Sequence, residues 1–340
     1  MKVDELRVKL LKLNQDDLIK MAVEFYKLIP KAKKEDANLD ALINTPPEQK
    51  MVKTIIVAAL RHLVDIETEV DTFMKNAREQ NYIAPNRIIP KKERATWRFK
   101  VKAWYKELTN GKNMHFEVGK QTDILVNLYT LMSDACGYQY FSADDPFESI
   151  GISQSDFYRT VVQFIDKAQG KTGVANRGIG LIVNNHISHT NSYSSLMDEL
   201  IPILETPDAK YHAIDVTNKL IQENKFTRPT NKKGPSNYYN FSSDHYRKER
   251  KNNHLAEIGF RLYASLYEYD AAMEFYQKHG YERDNEVKLY ILTRLLLTHG
   301  QKDAIKTMLL NAIKAGEKLR PGLLTLLKTI EETDELPRHF

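Results

Sequence analysis

Long stretches without glycine or proline constrain the fold of this chain more than any other feature. Residues 48–84, 91–110 and 281–299 contain neither residue, and the 340-residue chain has only 14 Gly and 12 Pro. A β-sandwich needs a turn signal every ten residues or so, which this pattern does not supply. Within 48–84, apolar residues recur at helical spacing from Met51 to Phe73. The sequence therefore predicts an all-α protein.

The composition predicts a protein of the cytoplasm. Hydrophobic residues make up 42% and charged residues 28%, which is typical of globular domains. Cys136 is the only cysteine, and a lone thiol fits a reducing compartment. The N-terminus carries charge every few residues, unlike a signal peptide, and no apolar run is long enough to span a membrane. We expect no membrane association, and no motif predicts a cofactor.

Breaks in the helical pattern predict several domains. We expect an N-terminal helical domain over 1–108, a linker over 109–120 and a middle helical domain over 121–225. A polar, basic stretch then predicts a mobile loop over 226–254, and helical hairpins over 255–335 complete the chain. The predicted fold is a multi-helix bundle followed by a short helical-repeat part.

An internal repeat of 33 residues supports the C-terminal prediction. Three apolar or small residues recur in the second copy at that spacing: Leu262, Ala271 and Phe275 as Leu295, Ala304 and Met308. In each copy one helix precedes a tight break, and a second helix starts at the small alanine. This pattern is typical of a helical hairpin with a small residue at the crossing.

The order of these residues resembles the tetratricopeptide repeat. Gly259 and Leu262 match its first helix, and Ala271 and Phe275 match its second. The second copy departs from the pattern at Leu292 and Met308, which replace the glycine and the aromatic residue. The resemblance implies a surface for a protein or peptide partner, whereas a generic antiparallel bundle is the alternative.

The first 45 residues are similar to the opening of an uncharacterised bacterial family of unknown function. Two stretches carry the similarity: residues 13–19 (LNQDDLI) and residues 25–30 (FYKLIP). This resemblance implies no activity.

Positive charge is concentrated in one predicted helix, 91–108. Residues 91–107 hold seven basic and two acidic side chains. Trp97 and Trp104 mark the apolar face beside them, and such a basic ridge with an aromatic edge suits a phosphate backbone. A solvated face above core tryptophans is the alternative. The predicted nucleic-acid-binding residues here are Lys91, Lys92, Arg94, Arg98, Lys102 and Lys106.

A second basic stretch, 228–254, interleaves aromatic residues with seven basic and two acidic ones. A basic segment with aromatics can order on RNA or single-stranded DNA, and an insertion kept soluble by its charge is the alternative. The predicted binding residues here are Lys232, Lys233, Tyr238, Tyr239, Arg247, Lys248, Arg250 and Lys251.

Catalysis is a weaker prediction. Arg294 and His299 have the R-x4-H spacing that is similar to the motif of the all-helical HEPN ribonucleases. In those families a polar residue follows the arginine, whereas Leu295 does so here. His186 and His189 lie one helical turn apart without a nearby carboxylate, so we expect no metal site.

We therefore predict a non-catalytic helical protein that binds a macromolecular partner, with RNA or DNA at the basic segments. A metal-independent ribonuclease and a structural subunit of a larger assembly are the alternatives.

Overall fold

A computed structural model describes residues 15–29, 47–110, 116–225, 243–282 and 284–337. These residues form helices joined by short connections, and the part of the chain so described contains no strand. The predicted all-α class is confirmed.

The α-helices are numbered in chain order. They are α1 Gln15–Leu28, α2 Pro47–Arg78, α3 Trp97–Thr109, α4 Val118–Gly137, α5 Pro146–Ile150, α6 Gln154–Gly173, α7 Ile179–Val183, α8 Tyr193–Leu200, α9 Pro207–Glu223, α10 Ser243–Ala264, α11 Tyr269–His279, α12 Asn285–Thr298, α13 Lys302–Lys314 and α14 Pro321–Thr333. Short 3-10 turns at Lys91–Thr96 and Ile201–Ile203 and a π-helical turn at Val174–Gly178 interrupt the series.

The chain divides into two compact units, Met1–His62 and Leu63–Phe340. The first contains α1 and the beginning of α2. The second contains every later helix, so the predicted divisions at 109–120 and 226–254 lie inside one unit. Gln121 of α4 donates to the backbone carbonyl of Leu108 in α3, across the predicted linker. Helices on both sides of 109–120 therefore share one core.

An aromatic cluster fixes α3 within the second unit. Trp97 stacks on Phe141 with ring centroids 4.1 Å apart, and Trp104 meets Phe73 edge-on at 5.3 Å. The indole N–H of Trp104 donates to the carboxylate of Glu69 at 2.9 Å. Both tryptophans are buried, as the sequence pattern predicts. The opposite face of α3, which carries the cations, therefore points outward.

The spacing of apolar residues predicts one helix over 173–189, but a buried polar network ends it early. The Ser188 amide donates to the Gln154 side chain at 2.8 Å, and the His189 amide donates to the Asp145 carboxylate at 3.1 Å. Because side chains satisfy these amides, the chain can leave the helix after Val183. The helix prediction is wrong for 184–189, which form an irregular loop instead.

The predicted loop over 226–254 is wrong in its second half. Residues 243–254 are the first half of α10, and only 226–242 lie outside the described residues. Asn252 is buried and accepts from the side chain of Asn224, the residue directly after α9, at 2.8 Å. Tertiary contacts of this kind stabilise a helix that the polar sequence alone does not predict.

The last five helices share a hydrophobic core, and α10 and α11 pack as a hairpin. The closest approach is at Gly259, where a Cβ atom would lie 2.0 Å from the Phe275 ring. Ala272 is fully buried, whereas the predicted crossing residue, Ala271, is half-buried. The hairpin therefore depends on Gly259 and Ala272.

In the described part of the chain, no helix combines the length and apolarity that crossing a membrane requires.

Candidate functional site

The predicted basic helix consists of two elements. Lys91–Thr96 form a 3-10 turn, and α3 follows from Trp97. In the sequence, Arg94, Arg98, Lys102 and Lys106 lie four residues apart, which predicts one row along a helix. The row begins at Arg98 instead, because the tighter turn changes the direction of Arg94.

Arg94 is turned toward the preceding loop. Its guanidinium donates to the carbonyl oxygens of Ile83, Asn86 and Ile89 at 3.4, 3.4 and 3.2 Å. The Asn86 side chain accepts from the Ile88 and Ile89 amides. Arg94 thus stabilises this loop, and its guanidinium does not belong to the candidate surface.

The remaining cations form a surface that we call the α3 basic face. Five of its side chains are exposed, and Lys102 is half-buried. No ion pair or hydrogen bond to these side chains occurs among the residues that the structure describes. The face consists of Lys91, Lys92, Arg98, Lys100, Lys102 and Lys106.

Several cations elsewhere in the second unit are paired with carboxylates, unlike those of this face. Arg261 contacts Glu257 and Asp198, both at 2.9 Å. Arg320 forms a two-pronged pair with Glu286. The α3 basic face lacks such carboxylates, so its positive potential reaches solvent.

The exposed ring beside the α3 basic face belongs to Phe99 and not to a tryptophan. Trp97 and Trp104 are buried, and the Tyr105 hydroxyl is 2.8 Å from that of Thr160. Phe99 is the exposed ring, with 62% of its surface accessible and the Arg98 guanidinium 4.9 Å from its centroid. Phe99 lies off the apolar face of α3, a position that helical periodicity alone could have identified.

The second basic segment is described only in part. Lys232, Lys233, Tyr238 and Tyr239 lie outside the described residues. The other four predicted residues lie on the first turns of α10: Arg247, Lys248, Arg250 and Lys251.

Two of these α10 cations contact the loop before α8. Lys251 donates to the Asn184 side chain at 2.7 Å, and burial lowers the pKa of Lys251. The Arg250 guanidinium lies 5.2 Å from the Tyr193 ring, which stacks on His254 at 3.6 Å. These contacts join α10 to the loop, so both cations have structural partners.

Burial keeps His254 neutral. It lowers the pKa of His254 to about 4, assisted by the nearby charge of Arg250. Its Nε2 is buried and has no hydrogen-bond partner among the described residues. An imidazole in this setting acts as an aromatic ring packed against Tyr193.

The two basic segments lie on different helices of the core. The first packs through α3 against α4 and α5, whereas the second packs through α10 against α9 and α11. We treat them as separate surfaces.

The residues of the R-x4-H motif have different surroundings. Arg294 is exposed, and its guanidinium is 5.9 Å from the Tyr290 ring. His299 ends α12 between the rings of Phe260 and Tyr269, where burial and Arg261 lower its pKa. No hydrogen bond joins the two side chains.

The other residues with possible chemistry have structural roles. The His186 ring packs edge-on against Tyr138 at 5.4 Å, and the His189 amide bonds to Asp145. Burial raises the pKa of the Cys136 thiol to about 12, so the thiol stays protonated at neutral pH. Within the described ranges, no group of three or more His, Cys, Asp or Glu residues could hold a metal ion.

Comparisons with protein-family models, with curated proteins and with solved structures found no match for this chain.

Proposed function

We propose that this protein binds single-stranded RNA or DNA through the α3 basic face. The observation that carries the proposal is the clustering of six cations along 91–106, none of which forms an ion pair with a residue that the structure describes. Cations of this kind attract phosphates and release condensed counterions on binding.

The geometry of α3 suits an extended strand. Arg98, Lys102 and Lys106 follow one another at intervals of four residues, which is a rise of about 6 Å per step. A strand that runs along the helix can place several phosphates against this row. The exposed Phe99 ring beside Arg98 offers a stacking surface for an unpaired base. Duplexes hide the faces of their bases, so the ring favours single strands.

The proposed role is binding rather than catalysis. No hydrogen bond joins Arg294 and His299, and burial lowers the pKa of His299, which disfavours its protonated form. If the ribonuclease alternative applied, substitution of either residue by alanine would abolish RNA cleavage.

The test compares affinities for a fluorescein-labelled 20-nucleotide single strand, measured by anisotropy at low salt. We expect Arg98→Gln/Lys102→Gln/Lys106→Gln to weaken binding at least tenfold, because it removes three phosphate contacts. Phe99→Ala should weaken binding to the single strand more than binding to a duplex.

The matched control removes the same charge elsewhere. Lys278, Lys314 and Lys318 are exposed on or near other helices, and their triple replacement by glutamine should leave affinity within about twofold. Equal losses in the two triple variants would mean that net charge, and not the α3 basic face, governs binding. Failure of the protein to bind any strand at low salt would reject the proposal.

A further inference from the structure

A groove of about 800 Å³ lies among the C-terminal helices. α11 and α13 line its sides, and α12, which packs against both, lies between them. Its lining residues on α13 extend from Asp303 to Ala315, a distance of about 18 Å along the helix. The groove is therefore about three helical turns long.

The floor of the groove is apolar. Met273 of α11, Leu289 and Leu292 of α12, and Met308 of α13 line it. Leu292 is buried, and the other three are half-buried. Methionine side chains are flexible and polarizable, and they adapt to the shapes of different apolar partners.

The rim of the groove is acidic. Asp270, Glu274 and Asp303 form no ion pair or side-chain hydrogen bond in the described part of the chain. Glu317 accepts from the Asn285 amide at 2.7 Å and keeps its charge uncompensated by a cation.

Lys288 is the one cation among the lining residues. Its ammonium group donates to the backbone carbonyls of Gln277 and Gly280, where it caps the end of α11. The lining holds four carboxylates against this one ammonium, so the groove has an apolar floor and a net negative charge.

We propose that this groove docks an amphipathic helix of a partner protein, about three turns long, with apolar side chains on one face and lysines or arginines along its flanks. The apolar face would cover the methionines and leucines of the floor. The flanking cations would meet Asp270, Glu274 and Asp303.

Nucleic acid does not fit this groove, because the rim carboxylates repel phosphates. The proposal is therefore independent of the α3 basic face. The walls of the groove are the second helices of the two predicted hairpins. The proposal uses only the residues that line the groove, so it does not require the chain to be a tetratricopeptide repeat.

The test uses a fluorophore-labelled helical peptide of about 14 residues, with leucines on one face and lysines on the other. The full chain should bind it, and Glu274→Gln/Asp303→Asn should bind it about tenfold more weakly. Met273→Ala/Met308→Ala should also weaken binding, because it removes apolar contact area. Circular dichroism establishes that each variant is folded.

Two controls separate the groove from nonspecific attraction. Glu331→Gln/Glu335→Gln removes two exposed carboxylates outside the groove and should leave affinity unchanged. A scrambled peptide with the same composition but no apolar face should bind at least tenfold more weakly. Equal binding of the scrambled peptide, or equal losses in the groove and control variants, would overturn the proposal.

Discussion

At the scale of single residues, Arg94 and Phe99 show how local geometry changes what a charge pattern implies. Sequence spacing places Arg94 at the start of a cationic stripe. The 3-10 turn instead directs its guanidinium to three backbone carbonyls. Phe99 is outward-facing, and the Arg98 guanidinium lies 4.9 Å from the centroid of its ring. The change from a 3-10 turn to an α-helix at Trp97 determines the direction in which each of the two side chains points.

Arg94→Ala should therefore destabilise the protein without a direct effect on nucleic-acid affinity. The loss of hydrogen bonds to three partly buried carbonyls should lower the free energy of unfolding by about 1–2 kcal/mol. Urea unfolding measures this change. Arg98→Ala serves as the control, and we expect a change below about 0.5 kcal/mol, since its side chain is exposed. A reversed order of the two losses would refute the structural role of Arg94.

His254 should make stability depend on pH in the acidic range. Its pKa is about 4 in the folded protein and 6.5 in the unfolded chain. Between these values the unfolded chain binds the extra proton, so the free energy of unfolding falls as pH drops from 6.5 to 4. The loss from this residue is about 3 kcal/mol across the window.

His254→Phe tests this directly, because phenylalanine keeps a ring against Tyr193 and cannot be protonated. Denaturant unfolding at pH 7 and pH 4.5 should show a smaller pH effect in the variant than in the parent. The parent and the variant would lose the same stability on acidification if His254 were already charged in the folded state.

At the scale of helices, the periodicity of apolar residues predicts that a helix is present better than it predicts where the helix ends. The sequence Thr206-Pro207-Asp208 predicts a helix start. The structure confirms it, and the Thr206 side chain accepts from the Ala209 amide. The break after Val183 and the helical start of α10 depend on partners distant in sequence. Asp145 and Gln154 determine the break after Val183, and Asn224 helps to stabilise the helical start of α10. A local pattern cannot contain such contacts.

In the α10–α11 hairpin, replacing a helical glycine by alanine should lower stability instead of raising it. Glycine to alanine within a helix ordinarily stabilises by up to about 1 kcal/mol. At Gly259 the new methyl group would overlap the Phe275 ring, so Gly259→Ala should destabilise by about 1–3 kcal/mol.

Gly180→Ala provides the matched control, because the nearest atom to its Cβ is 3.7 Å away. We expect Gly180→Ala to be neutral or stabilising in thermal unfolding. Phe275→Leu should recover part of the loss in the Gly259→Ala background. An increase in stability for Gly259→Ala alone would contradict the close approach of the two helices.

At the scale of the whole molecule, opposite charges occupy different helices of the second unit. The net charge of +5 is unevenly distributed, with a cationic face on α3 and an acidic groove between α11 and α13. The lysines and arginines of the first are neighbours in the chain, so their clustering is visible in the sequence. The groove combines residues of three helices, and only the packing of those helices brings its carboxylates together.

The sequence predicts the fold class better than it predicts the boundaries between compact units. Asn, Gly and Lys residues at 109–120 indicate a change of chain direction, and the structure has one between α3 and α4. Composition cannot tell whether the helices on either side share a core. Here they do, and the division lies at His62–Leu63, within a helix that contains no composition signal.

The salt dependence of binding to a single strand tests the central claim most directly. If the α3 basic face contacts phosphates, the logarithm of the association constant should fall linearly with the logarithm of salt concentration. Six contacts would give a slope of about −4, and the triple variant at Arg98, Lys102 and Lys106 should reduce its magnitude by about 2. A slope near zero, or the same slope in the parent and the variant, would contradict the account.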